Sequence, residues 1–143
     1  MKLVTVSLGI ELINDYNGSA FVDWDGVQNW AKPYIAALFE EGIVYGSLQA
    51  DGLYVYANNP ITREEMITIV VRALGVEITI GGKSDATDFI EVSDWAKDSV
   101  AFALENEMIN IDTDGSVCPA RNAKRDETAM ILYKLLQYRE QNV

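Results

Sequence analysis

An internal repeat decides what this chain can build, because a repeated segment is one supersecondary unit that buries its apolar face only against its neighbours. Residues 21–46, FVDWDGVQNWAKPYIAALFEEGIVYG, followed by 61–75, ITREEMITIVVRALG, align with 89–111, FIEVSDWAKDSVAFALENEMINI, followed by 123–137, AKRDETAMILYKLLQ. The alignment pairs Phe21 with Phe89, Trp30-Ala31 with Trp95-Ala96 and Arg63 with Arg125. The separation is 65 residues at the tryptophans and 62 at the arginines, a difference that loops absorb. Residues 3–21 align in turn with 69–89, so 1–9 read as the last turns of a helix whose beginning lies outside the chain. The organisation is a remnant over 1–20, a complete repeat over 21–82 and a second, degraded repeat over 89–143.

Each complete repeat reads as helix, loop, helix. Ala31, Ile35, Leu38 and Phe39 recur at the spacing of one buried helical face, and Ala96, Val100, Ala103 and Leu104 reproduce it. Pro33 falls in the first turn, where its missing N–H costs least, and Gly42 stands where a helix stops. Thr62 followed by Glu65 is a capping box, in which hydroxyl and carboxylate each bond the other residue's amide. The helix it opens is apolar over much of its surface, from Met66 to Leu74, and ends at Gly75. The intervening loops, 47–60 and 112–122, are rich in turn residues, with Leu53–Tyr56 as a short extended piece. The fold class is all-α with long loops and at most short β pieces.

Composition excludes several functions. A net charge of −11 argues against nucleic acid, whose binding depends on clustered cations, and against an anionic membrane surface. The opening MKLVTVSLGIELIND has Lys2 before an apolar run, but Glu11 interrupts it and no small-residue cleavage site follows, so it reads as structure. No run approaches the ~20 apolar residues of a membrane span. There is no histidine, which removes the commonest general base and the usual zinc ligand, and the single cysteine, Cys118, permits no intrachain disulfide. Asp112-Thr113-Asp114-Gly115 resembles the start of a calcium loop without its later bidentate glutamate. No catalytic residue, metal or cofactor is expected.

The motifs Phe21-Val22-Asp23, Trp30-Ala31, Gly42-Ile43, Asp51-Gly52 and Ile61-Thr62-Arg63-Glu64-Glu65, in this order, resemble the S-layer homology family over nearly the whole chain. The resemblance implies a central three-helix bundle, supplied here by 1–9, 61–75 and 123–138, with first helices and loops projecting as prongs. It implies an extracellular, non-catalytic module of the bacterial cell surface. Such modules hold proteins on secondary cell-wall polysaccharide, often pyruvylated, through grooves between repeats. By the same resemblance the ligand-binding residues would be Arg63, Thr62, Glu64, Asp23, Trp30, Trp95, Gly46 and Arg125. In the last repeat Lys124 stands at the place of Thr62, with Asn122 as a stand-in cap, while Glu107 replaces Gly42 and Ile111 replaces Gly46. That degradation leaves a second reading open, a structural or protein-interaction domain that has lost sugar binding. Self-association through the incomplete repeat is a further expectation.

The residues themselves leave alternatives. Arg63 follows a helix cap whose free N–H groups suit an anion, or is a surface arginine paired with Glu64, Glu65 or Asp51. Trp30 and Trp95 offer flat apolar faces to a sugar ring, or brace a prong against the bundle. Tyr45, Tyr54 and Tyr56, crowded in one loop, are additional carbohydrate candidates, or cover a core edge.

Overall fold

A computed structural model describes residues 1–142. Five α-helices and one two-stranded hairpin make up its regular structure among the described residues. In chain order they are α1 (Lys2–Leu8), α2 (Lys32–Glu40), β1 (Ser47–Gln49), β2 (Gly52–Tyr54), α3 (Arg63–Leu74), α4 (Lys97–Glu105) and α5 (Arg125–Asn142). The all-α expectation with short β pieces holds. The extended piece expected at Leu53–Tyr56 is displaced, since β2 stops at Tyr54 and Tyr56 turns to φ 48°.

The chain divides into two compact units, Met1–Asn59 and the residues from Pro60 on. This division cuts across the sequence repeat, for the two helices of the 21–82 repeat fall in different units. In the first unit, α1 packs on α2. Phe21, Trp24, Val27, Ile35 and Ala36 form its buried cluster, with Tyr16, Phe39 and Leu53 against it. Trp24 meets Tyr16 edge-on at 5.2 Å, and Phe21 meets Phe39 at 4.8 Å, geometries that add to plain burial. In the second unit, α3 packs against both α4 and α5. Ile67, Val70, Val100, Ala103, Met108, Ile131 and Leu135 are all but inaccessible there. Each large aliphatic side chain so buried contributes about 1.5–3 kcal/mol.

Local chemistry explains the helix ends. Pro33 lies in the first turn of α2. The capping box at α3 is complete: the Thr62 hydroxyl accepts from Glu65 N–H and the Glu65 carboxylate accepts from Thr62 N–H at 2.8 Å. At α5 half of it survives, with Glu127 accepting from Lys124 N–H at 2.9 Å. Asn122, the expected stand-in, lies in an antiparallel bridge with Thr62.

The structure corrects one part of the repeat alignment. The 3-10 turn Trp24–Gly26 follows Asp23, and the 3-10 turn Phe89–Glu91 follows Asp88. The constant offset of 65 thus pairs Trp24, not Phe21, with Phe89, and Asp23 with Asp88. The same offset runs on through α2 and α4 to Gly42 (φ 67°) and Glu107 (φ 54°), which both close a helix in the left-handed region. The backbone therefore keeps the glycine's conformation after the glycine is gone. Ile111, in contrast, does not keep the positive φ of Gly46.

Candidate functional site

The start of α3 is wrapped by the chain that leads into α5. Ala123 N–H donates to Ile61 O at 2.9 Å, Arg63 N–H to Arg121 O at 2.8 Å and Glu64 N–H to Pro119 O at 3.0 Å. Thr62 and Glu65 satisfy each other's amides through the capping box. The free N–H groups expected to receive an anion here are therefore all engaged by the protein, because a strand-like neighbour lies where a ligand would have to approach.

Arg63 is 5% exposed and so is not the surface arginine of the sequence reading. Its Nη1 lies 3.0 Å from Glu127 Oε1 and its Nη2 donates to Asn110 O. The expected partners are occupied elsewhere: Glu65 in the capping box, Asp51 accepting from the Tyr54 hydroxyl, and Glu64 at Ser93. Nε of Arg63 is buried with no partner in the protein. Glu127 also receives both terminal nitrogens of Arg121, at 2.6 and 3.3 Å. Burial pushes the Glu127 carboxyl up. The hydrogen bonds from Arg121 and the Lys124 amide, with the charges of Arg63 and Arg121, more than offset it and hold the group below its ordinary value.

Glu64 is buried as well, and both its oxygens hold Ser93, through N–H at 2.9 Å and the hydroxyl at 2.8 Å. Ser93 O in turn accepts from Ala96 and Lys97 N–H, so Glu64 fixes the entry to α4. Two residues after Ser93 stands Trp95, 53% exposed. Buried Arg63 and Glu64 and exposed Trp95 are thereby brought to one end of the second unit. Arg125 is exposed at the first turn of α5.

The remaining candidates lie in the first unit. Asp23 accepts from Val55 N–H at 2.9 Å and Tyr56 N–H at 2.8 Å, tying the hairpin's exit to the turn before α2. Gly46 is needed for space, since a Cβ there would stand 2.8 Å from Tyr54 O and 3.0 Å from the Phe21 ring. Trp30 is 63% exposed, its indole N–H donating to Gln28. Neither tryptophan is packed away as a brace.

Sequence reasoning missed Asp88, Ser93, Arg121 and Glu127. Asp88 repeats the work of Asp23 by accepting from Val117 and Cys118 N–H, both at 2.7 Å. The tryptophan offset applied to Asp23 would have found it. Nothing in the sequence marks the Arg121–Glu127–Arg63 cluster, whose members come together only in the fold. In the Asp112–Gly115 turn, Asp114 accepts from Ser116, and among the described residues no group of three or more acidic or cysteine side chains is placed to hold a metal. Among them, too, no helix is long and apolar enough to cross a membrane. An open cleft of about 600 Å³ lies between residues 79–84 and α4, and none of its lining residues belongs to the predicted site.

Known proteins resemble this chain in sequence. The sequence model of the S-layer homology domain matches residues 20–67, from the first-unit turn to the second turn of α3. The chain is 36% identical over 85% of its length to the exoglucanase XynX of Acetivibrio thermocellus, of which it spans 11%. It is 35% identical over 76% of its length to the amylopullulanase of Thermoanaerobacterium thermosulfurigenes, spanning 6% of that enzyme. A cellulosome-anchoring protein of Acetivibrio thermocellus is 31% identical over 60% of the chain, which spans 20% of it. The chain thus covers a small share of each relative, and that share carries the repeats. On the family model, these relatives and the repeated Asp–turn–helix units, the chain belongs to the S-layer homology family of bacterial cell-surface modules.

Proposed function

We propose that this chain is a non-catalytic anchoring module that holds its parent protein on secondary cell-wall polysaccharide, pyruvylated ends included. The observation that carries the reading is the kind of protein that contains the segment. Proteins named as a glucanase, a pullulanase and a cellulosome anchor match it over a minor part of their length, as a shared attachment device would. The proposed binding residues, as contacts or as their supports, are Arg63, Thr62, Glu64, Trp95 and Arg125 in the second unit and Asp23, Trp30 and Gly46 in the first. Within that set the roles divide by what each residue already does in the fold. Trp30, Trp95 and Arg125 meet ligand directly, while Asp23, Gly46, Thr62 and Glu64 hold the surfaces that carry them. Arg63, 5% exposed and tied to Glu127 and Asn110, belongs with the supports.

A second reading has its own support. Both terminal nitrogens of Arg63 are engaged by Glu127 and Asn110, which suits a purely structural domain that has lost sugar binding. Sedimentation with purified cell-wall polysaccharide separates the two. Wild-type protein pelleting with the polymer, and Trp95→Ala remaining in the supernatant, supports the anchor; wild-type protein remaining in the supernatant overturns it.

Self-association belongs to the same proposal. Leu3 and Val6 on α1 of the first unit are more than half exposed, and within the second unit Met130 and Tyr133 on α5 are about half exposed, apolar side chains of the sort that find partners. A strictly monomeric species by light scattering at high concentration would overturn it.

A further inference from the structure

Equivalent turns in the two repeats share an aspartate clamp and a left-handed residue but carry different side chains. Asp23 clamps Val55 and Tyr56 N–H, and Asp88 clamps Val117 and Cys118 N–H in the same way. Tyr56 and Cys118 both stand in the left-handed region, at φ 48° and 53°. Counting back from Arg63 and Arg125, Tyr54 corresponds to Ser116 and Tyr56 to Cys118. A serine and a cysteine therefore suffice for the turn, and a bulky aromatic at positive φ is an unfavourable choice for it. Backbone needs do not explain the tyrosines.

Their arrangement does suggest what they serve. The Tyr54 and Tyr56 rings are stacked, 5.2 Å between centroids and 18° between planes, and Tyr56 is 41% exposed. The Tyr54 hydroxyl donates to Asp51 Oδ2 at 2.7 Å, a bond that raises the phenol above its ordinary range and keeps it protonated. Ser47 and Gln49 on the facing strand and Asn58 beyond the turn add donors and acceptors. Flat apolar rings edged by hydroxyl, carboxylate and amide groups match a pyranose ring, whose C–H face is apolar and whose rim is hydroxyl. Residues 1–59 hold seven carboxylates against two lysines and no arginine, so an acidic sugar is disfavoured here.

We propose that Tyr54 and Tyr56 form a stacking ledge for an uncharged pyranose residue of a polysaccharide, a subsite separate from the Arg63 region. The proposal rests on the anchoring reading for its biological polymer but not for its chemistry. Its test uses the whole chain, a neutral N-acetylglucosamine tetrasaccharide as probe and amide NMR as readout. Tyr54→Ser/Tyr56→Ser mirrors the small residues of the other repeat, so the Asp23 clamp and the fold are retained, as circular dichroism would check. Shifts confined to residues 47–58 in the wild type and lost in the double variant are expected, with affinity reduced at least about fivefold, the ordinary cost of truncating a contacting aromatic. Absence of shifts at 47–58, or equal binding by the variant, overturns the ledge. Sedimentation of both proteins with cell-wall polysaccharide keeps the two ideas apart. Wild type that binds the tetrasaccharide yet not the polymer sinks the anchor and leaves the ledge. Polymer binding that ignores the tyrosines, with no tetrasaccharide shifts, does the reverse.

Discussion

Arg63 Nη1 and Glu127 Oε1 meet at 3.0 Å, joining the first turn of α3 to the first turn of α5. The arginine of the repeat motif is thereby a tie between helices that are 62 residues apart in the repeat frame. Arg63 is largely desolvated, and removing it leaves Glu127 with one cation and Asn110 O without its donor. Arg63→Ala is expected to destabilise the protein by about 3 kcal/mol, the scale of a broken buried pair. Urea unfolding followed by circular dichroism would read this. A loss under about 0.5 kcal/mol, typical of an exposed pair, would show that the tie contributes nothing. Because this variant perturbs the fold, it is a poor probe of sugar binding.

The sequence exposed the helices and their ends because those follow from local rules: the α2 face at Ile35 and Leu38, the capping box at Thr62, the stop at Gly42. The site was less legible. Arg63 and Glu64 sit in a motif that looks solvent-facing, and their burial is created by residues 93 and 107–122, distant in sequence. Only the tertiary approach of Ser93, Asn110 and Arg121 tells a buried tie from an exposed hook. Asp88 was concealed differently, by anchoring the repeat on two phenylalanines that do not occupy equivalent places.

Glu107 holds φ 54° at the place of Gly42, a conformation that costs a side-chain-bearing residue energy a glycine avoids. Glu107→Gly is expected to raise stability by about 1 kcal/mol, less the extra entropy that glycine brings to the unfolded chain. Gly42→Ala should lower it by a similar amount. Thermal melts of both variants check the pair, and destabilisation by Glu107→Gly would refute the strain argument.

Each clamp aspartate bonds two consecutive amides. Asp88→Ala frees Val117 and Cys118 N–H and is expected to cost about 2–3 kcal/mol, as charged hydrogen bonds do. Hydrogen exchange at Val117 should quicken in the variant. Unchanged protection there would mean the carboxylate is incidental.

Glu127 makes stability depend on acid. Its folded-state pKa is depressed below the unfolded value of about 4.3. A depressed carboxyl contributes stability that is fully present above the unfolded pKa and is lost as pH falls through the folded one. The wild type should therefore lose stability faster than Glu127→Gln below about pH 4.3, with the two curves running parallel above pH 6. Parallel curves across the acid range would exclude the linkage.

Trp95 offers the cleanest test of function, because its position separates binding from folding. It is 53% exposed, yet the residue two before it, Ser93, is fixed by both oxygens of Glu64 beside Arg63. An indole held on such a rigid support gives up little entropy on binding, so its apolar face is well suited to a sugar ring. Trp95→Ala should leave the urea midpoint nearly unchanged while weakening polysaccharide binding by about tenfold, equivalent to roughly 1.4 kcal/mol. Glu64→Ala should weaken binding too, but together with a loss of stability, since it releases the support rather than the contact. Arg125→Ala, also at an exposed position, should leave the fold intact and lower affinity less than Trp95→Ala. Calorimetry with the polysaccharide, run beside unfolding curves for the three variants, distinguishes the roles. If Trp95→Ala binds as wild type does, the indole is not a contact and the Trp95 surface is not where the polymer sits.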